Sequence, residues 1–158
     1  MSDGYNRLHR HVETVRNYLG ACIRELITRQ EQHDQSKFEE PELSAYLSMA
    51  HVRHLEYGSN EYWAELKKID HALVHHYSKS RDHVEYHERG YRGMTLIDLL
   101  EMIVDWKSAT LRTESGDIFR SIEINQRRYG YSDELKDILA NTARWLNDQK
   151  VFHKANES

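Results

Sequence analysis

Four groups of residues have the types and spacing to do chemistry. His33 and Asp34, in EQHDQSKF, set an imidazole nitrogen beside an anionic oxygen. That pair suits a cation, and equally a solvated loop. His11 borders an apolar helical stripe formed with Leu8, Val12 and Val15 and faces inward, as a core histidine or a ligand would. In MTLIDLLEMIVDWKSATLR, Leu96, Leu99, Leu100, Ile103, Val104 and Trp106 cover most of a helix, yet Asp98, Glu101 and Asp105 recur along one line of it. Carboxylates on a largely buried helix need partners. Arg or Lys would serve, and so would a cation shared with histidines from other helices. The fourth group is the His-rich run DHALVHHYSKSRDHVEYH. His75 shares a helix face with His71, and His76 continues the apolar face of Leu66, Ile69 and Leu73. His83 and His87 fall in a long polar stretch of a kind that often carries function. His51, His54, His71 and His153 read as surface residues.

The elements that must position these groups are helical. With one proline and eleven histidines in 158 residues, and glycines mostly between periodic blocks, no period-two alternation emerges. The spacing predicts a first helix over about 4–30, with Leu8, Val12, Val15, Leu19, Cys22 and Leu26 on its inner face. Pro41 opens a second helix that ends near Gly58. Ser59 or Asn60 caps a third, with Tyr62, Leu66, Ile69 and Leu73 on one face. A polar stretch over about 78–93 precedes helices over about 94–112 and 117–129. Ser132 caps the last helix, with Leu135, Ile138, Leu139, Thr142 and Leu146 inward. The expected fold is all-α, a compact single-domain bundle of five to seven helices spanning 1–158.

Composition excludes other classes. Lys and Arg number 22 against 26 Asp and Glu, a formal charge of −4, so there is no basic footprint for a long nucleic acid. No apolar run is long enough for a membrane span. The N-terminus does not read as a secretory signal, and the one cysteine, Cys22, excludes an internal disulfide and a cysteine-rich zinc module. The expected setting is cytoplasmic.

The order H…HD…(H/HH)…D over separate helices resembles the metal-dependent HD superfamily of phosphohydrolases. HDQSKF resembles its HD-x-(Ser/Gly)-Lys turn, and EMIVDWKSA the helix bearing its last Asp. HHYSKSRDHVEYH is similar to a pattern of small phage and bacterial HD-like proteins, with Ser80 in place of an Asn and Asp82 in place of a His. The resemblance covers roughly residues 8–128. It implies that His11, His33, Asp34 and Asp105 hold one divalent ion (Mn, Fe, Co, Ni or Zn), with His75, His76 and His83 available to a second ion or a phosphate. It further implies metal-activated water attacking phosphorus, with Asp34 in the catalytic set and Lys37 on a phosphate oxygen. Glu101 would orient that water or act as general base. Arg81, Arg112, Asn125 and Arg128, with Ser121, are weaker candidates for binding substrate. The implied substrate is a small nucleotide, such as a nucleoside 5′-monophosphate or a deoxynucleotide. The implied setting allows self-association and, for a phage-encoded member, a host cytoplasm. Two alternatives share the resemblance: an HD-type di-iron oxygenase and a non-catalytic nucleotide-binding protein.

Overall fold

Apolar periodicity and local caps resolve into seven α-helices and four short 3₁₀ turns, with no strand among the described residues. The computed structural model describes residues 3–112 and 116–149, so His153 lies outside them. The helices are α1 (Asp3–Gln32), α2 (Glu42–Ser48), α3 (Asn60–Lys68), α4 (Asp70–Lys79), α5 (Leu96–Thr110), α6 (Ile118–Tyr129) and α7 (Asp133–Asn147).

Caps account for several boundaries. Ser59, Asp117 and Ser132 each accept a backbone N–H at the start of α3, α6 and α7. Thr95 and Asp98 form a reciprocal capping box that starts α5. Gly130, at φ 69°, closes α6 in the left-handed conformation.

Two apolar clusters hold the body. Met102 and Ile103 of α5 pack with Ile118 and Ile122 of α6, Leu139 and Ala143 of α7, and Val84 and Tyr131 from the connecting segments. Ala45, Met49, Ile69 and Ala72 form a second cluster around α2 and α4. The polar groups of interest lie where α1, α2, α4 and α5 meet the segment over 80–87.

Several expectations change. The second predicted helix is shorter: α2 stops at Ser48, and a 3₁₀ turn over Ala50–His54 follows. The third is two helices, broken at Ile69 although both halves share one apolar face. Leu96 and Val104 are exposed, so α5 is buried on fewer sides than its apolar content suggests. Ile138 of α7 is likewise exposed. The largest difference is α1. It has no buried residue; only its C-terminal end reaches the body, packing on α5.

Candidate metal centre

α1 delivers His33 at its C-terminal end. Asp34 follows at φ 58°, a left-handed conformation that Asp tolerates better than most residues. The chain then turns through Gln35–Phe38. His33 Nε2 lies 3.6 Å from both Asp34 Oδ2 and Asp105 Oδ1. α4 brings His76, whose Nε2 is 3.5 Å from Asp34 Oδ1 and 3.0 Å from His83 Nε2. Donor atoms of three sets converge within 4.8 Å: His33, Asp34 and Asp105; His33, Asp82 and Glu101; and Asp82, His83 and Asp105.

Carboxylates behind the histidines orient two of these rings. His33 Nδ1 donates to Glu101 Oε1 at 3.0 Å, and His76 Nδ1 to Glu42 Oε2 at 2.9 Å. Both rings therefore point Nε2 into the cluster, as metal-ligating histidines do when a carboxylate holds their other nitrogen. Glu42 is fully buried. Its other oxygen accepts from His75 Nδ1 at 2.7 Å, and Ser36 donates to this carboxylate as well. Arg29 binds Glu101 at 2.7 Å and Asp98 at 3.0 Å. Arg81 spans both oxygens of Asp98.

Electrostatics divide the donors into two kinds. The Asp105 carboxylate and then Glu101 raise the His33 imidazole to about 10, despite partial burial. Burial above all, aided by the charges of Lys37 and neighbouring groups, holds His76 and His83 below the ordinary histidine range. Those two rings are neutral, the form that binds a metal. Burial pushes Asp82 up to about 6, with Glu101 and Asp105 adding to the shift. Its Oδ2 is buried without a hydrogen-bond partner, an acceptor lacking the donor that buried polar atoms normally find. A cation would satisfy that oxygen and relieve the repulsion among the acids. The mixed nitrogen and carboxylate donors suit a divalent transition metal.

The structure therefore brings His33, Asp34 and Asp105 together, with His76 and His83 alongside, and His75 one layer behind. It does not bring His11. That residue is exposed on α1, 22 positions before His33 in one continuous helix, hence roughly 33 Å away along the axis at 1.5 Å per residue. A one-ion centre including His11 is not formed within the chain. Glu101 has one oxygen on His33 and the other on Arg29, which makes it a positioning residue instead of a general base. Lys37 Nζ sits 2.5 Å from Asp34 Oδ2, at the mouth of the cluster. Arg81 is committed to Asp98. Asn125 is buried and accepts from Tyr57, and Ser121 bonds the Asp117 carbonyl, so both are structural. Arg112 is exposed at the far end of α5.

Arg128 holds a different position. Its guanidinium lies 5.2 Å from the Trp63 ring and pairs with Glu85 at 2.6 Å. It also bonds Tyr77, whose ring centre is 4.8 Å from that of His83. Beside it, a cleft of about 530 Å³ is lined by Gly58, Trp63, Ile124, Arg127 and Arg128.

Sequence reasoning missed Glu42, Arg29 and Ser36. The first two were detectable. Glu42 stands three and seven residues before Ala45 and Met49, on their buried face, and Arg29 continues the three-and-four spacing that runs from Leu8 to Leu26. Ser36 carries no comparable pattern.

The arrangement defines an all-helical protein with a histidine-carboxylate cluster fit for divalent cations. Residues 1–150 match a family described as "Family of unknown function (DUF5662)", and the chain belongs to it. Comparisons with curated proteins and with solved structures gave no match.

Proposed function

We propose that this protein is a divalent-metal-dependent hydrolase of a phosphate ester or anhydride in a small nucleotide. The observation that carries the reading is the convergence of His33, Asp34 and Asp105, with the His33 ring aimed by Glu101. His33, Asp34 and Asp105 would hold one ion. Asp34 Oδ1, His76 and His83 would hold a second, and Asp82 lies beside both sets. A divalent ion there supplies Lewis acidity, polarising a phosphoryl oxygen and lowering the pKa of water. The resemblance to HD phosphohydrolases points to the same chemistry.

The protein's own groups do the remaining work. Glu101 and Glu42 hold His33 and His76 in the orientation that exposes Nε2. Asp82, which lies beside both sets of donors, is the carboxylate placed to take a proton from an attacking water. Lys37, on a flexible stem, can leave Asp34 for a phosphate oxygen, where it acts as a point charge. The Trp63 and Arg128 cleft offers an aromatic face and cations to the nucleoside end of the substrate.

The test combines elemental analysis of untagged protein with a phosphate-release screen. Nucleoside 5′-monophosphates and deoxynucleotides are assayed with Mn²⁺, Co²⁺, Ni²⁺, Zn²⁺ and Mg²⁺. The expected result is a stoichiometric ion and phosphate release that Asp105→Asn abolishes. Oxygen consumption by the iron-loaded protein without phosphate release would replace this reading with an oxygenase. Intact nucleotide recovered after equilibrium dialysis would replace it with a binding protein.

A further inference from the structure

We infer that the free part of α1 is a homodimer seam, on which α1 of a second copy lies antiparallel. The inference is independent of the proposed chemistry. Tyr5, Leu8, Val12, Val15, Leu19 and Cys22 follow one another at spacings of three and four, the 3.5-residue period of a two-stranded coiled coil. Leu8 is 62% exposed, Leu19 58% and Tyr5 52%. A helix that projects alone has little to hold it. Most helical stability comes from packing an apolar face, and this stretch carries β-branched Val12, Thr14, Val15 and Ile23 as well as Gly20, all weak helix formers.

The orientation follows from where the body sits. The same row continues through Leu26 and Arg29, and there α5 covers it. A parallel pair would place both bodies on one face at one level, where they collide. An antiparallel pair places them at opposite ends. Centring the twofold axis between Glu13 and Thr14 sets Val12 against Val15, Leu8 against Leu19 and Tyr5 against Cys22 of the second copy. In this register Asp3 lies opposite residue 24 of the second copy, two residues before Leu26, where α5 begins to cover the row.

The seam is large enough and electrically acceptable. Its exposed apolar side chains amount to on the order of 600 Å² per copy, so two copies cover about 1,200 Å², the lower bound of stable interfaces. Residues 3–25 carry three acids, Asp3, Glu13 and Glu25, and four arginines, nearly balanced, and the register sets Asp3 opposite Arg24 of the second copy. The register leaves His11 beside Arg16 of the second copy, distant from either metal cluster.

Sedimentation of the full chain and thiol cross-linking test this together. The expected result is a dimer by mass, with Leu8→Glu weakening self-association at least a hundredfold. Leu8→Glu could also melt the helix, so cross-linking provides the second readout. With a short bismaleimide, Tyr5→Cys should give a covalent dimer through Cys22, and Tyr5→Cys/Cys22→Ser should not. The unaltered chain should not cross-link, because its two Cys22 residues lie roughly 25 Å apart in this register. A monomer at high micromolar concentration overturns the inference. So does cross-linking of the unaltered chain, which would mean parallel helices.

Discussion

Removing the Glu42 side chain should destabilise the protein by an amount that its contacts allow to be worked out. Glu42 is fully buried and accepts from His75 at 2.7 Å, from His76 at 2.9 Å and from Ser36 at 3.1 Å. In Glu42→Ala the His76 N–H loses its acceptor inside the protein, at a cost of about 1–3 kcal/mol. The His75 ring is one-third exposed and turns to water at little cost. Ser36 Oγ, 3.3 Å from His76 Nδ1, recovers part of the loss. The void left by the side chain adds about 1 kcal/mol. The total is about 2–4 kcal/mol, or a fall in Tm of roughly 5–12 °C for a domain of this size. Urea unfolding followed by far-UV circular dichroism, in EDTA and at one protein concentration, measures it as a midpoint shift with unchanged slope. Glu42→Gln retains the volume and one acceptor, so it should lose about 1–2 kcal/mol, yet bind metal about 10–100-fold more weakly because His76 is no longer held. A Glu42→Ala midpoint within about 0.5 kcal/mol of the unaltered protein, the range of ordinary surface changes, would refute the claim that this carboxylate anchors the cluster.

Three further outcomes follow from the same geometry. Arg29→Met removes the shared cation of Asp98 and Glu101 and should cost about 3–5 kcal/mol by urea titration, since it leaves a buried carboxylate less compensated; a loss below about 1 kcal/mol would mean that Arg81 alone satisfies Asp98. Because the folded pKa of His33 is raised to about 10 from 6.5, its contribution to stability is fully present below pH 6.5 and disappears as pH rises through about 10. Metal-free protein should therefore lose stability over that window, and His33→Gln should flatten the slope; equal slopes would contradict the His33 pairing. Saturating Mn²⁺ should raise Tm by roughly 5–10 °C at about a hundred times its Kd, and Asp105→Asn should abolish the rise while Arg112→Ala retains it.

Local signals make much of the fold legible from residue order. Ser59 and Ser132 cap helices because their hydroxyls replace missing intrahelical partners, an effect contained within four residues. Periodicity locates α1, but it identifies a face and says nothing of what covers it, so the stripe from Leu8 to Leu19 reads as internal and is exposed. The break at Ile69 carries no Gly or Pro and leaves the apolar face continuous, hence invisible to spacing. In the candidate site, His33, Asp34 and Asp105 are legible from residue type and neighbours. His11 is misplaced by motif order although a helix over 4–30 already separates it from His33 by about 30 Å, since a straight rod cannot fold its own ends together. Glu42 shares a face with Ala45 and Met49, but beside Pro41 an acid at a helix start reads first as a dipole partner, and its pairing depends on α4 arriving from some thirty residues away.

The left-handed turn at Asp34 has a consequence for how this position can vary. Backbone shape admits Gly and Asn there with little penalty, and side-chain chemistry asks for two anionic oxygens facing opposite directions. Aspartate alone among the twenty residues meets both demands, because glutamate fits the turn poorly and carries its charge one carbon too far. Drift at this position would therefore be abrupt: a descendant carrying Asn or Gly would retain its architecture and surrender the link between the two halves of the cluster in one step.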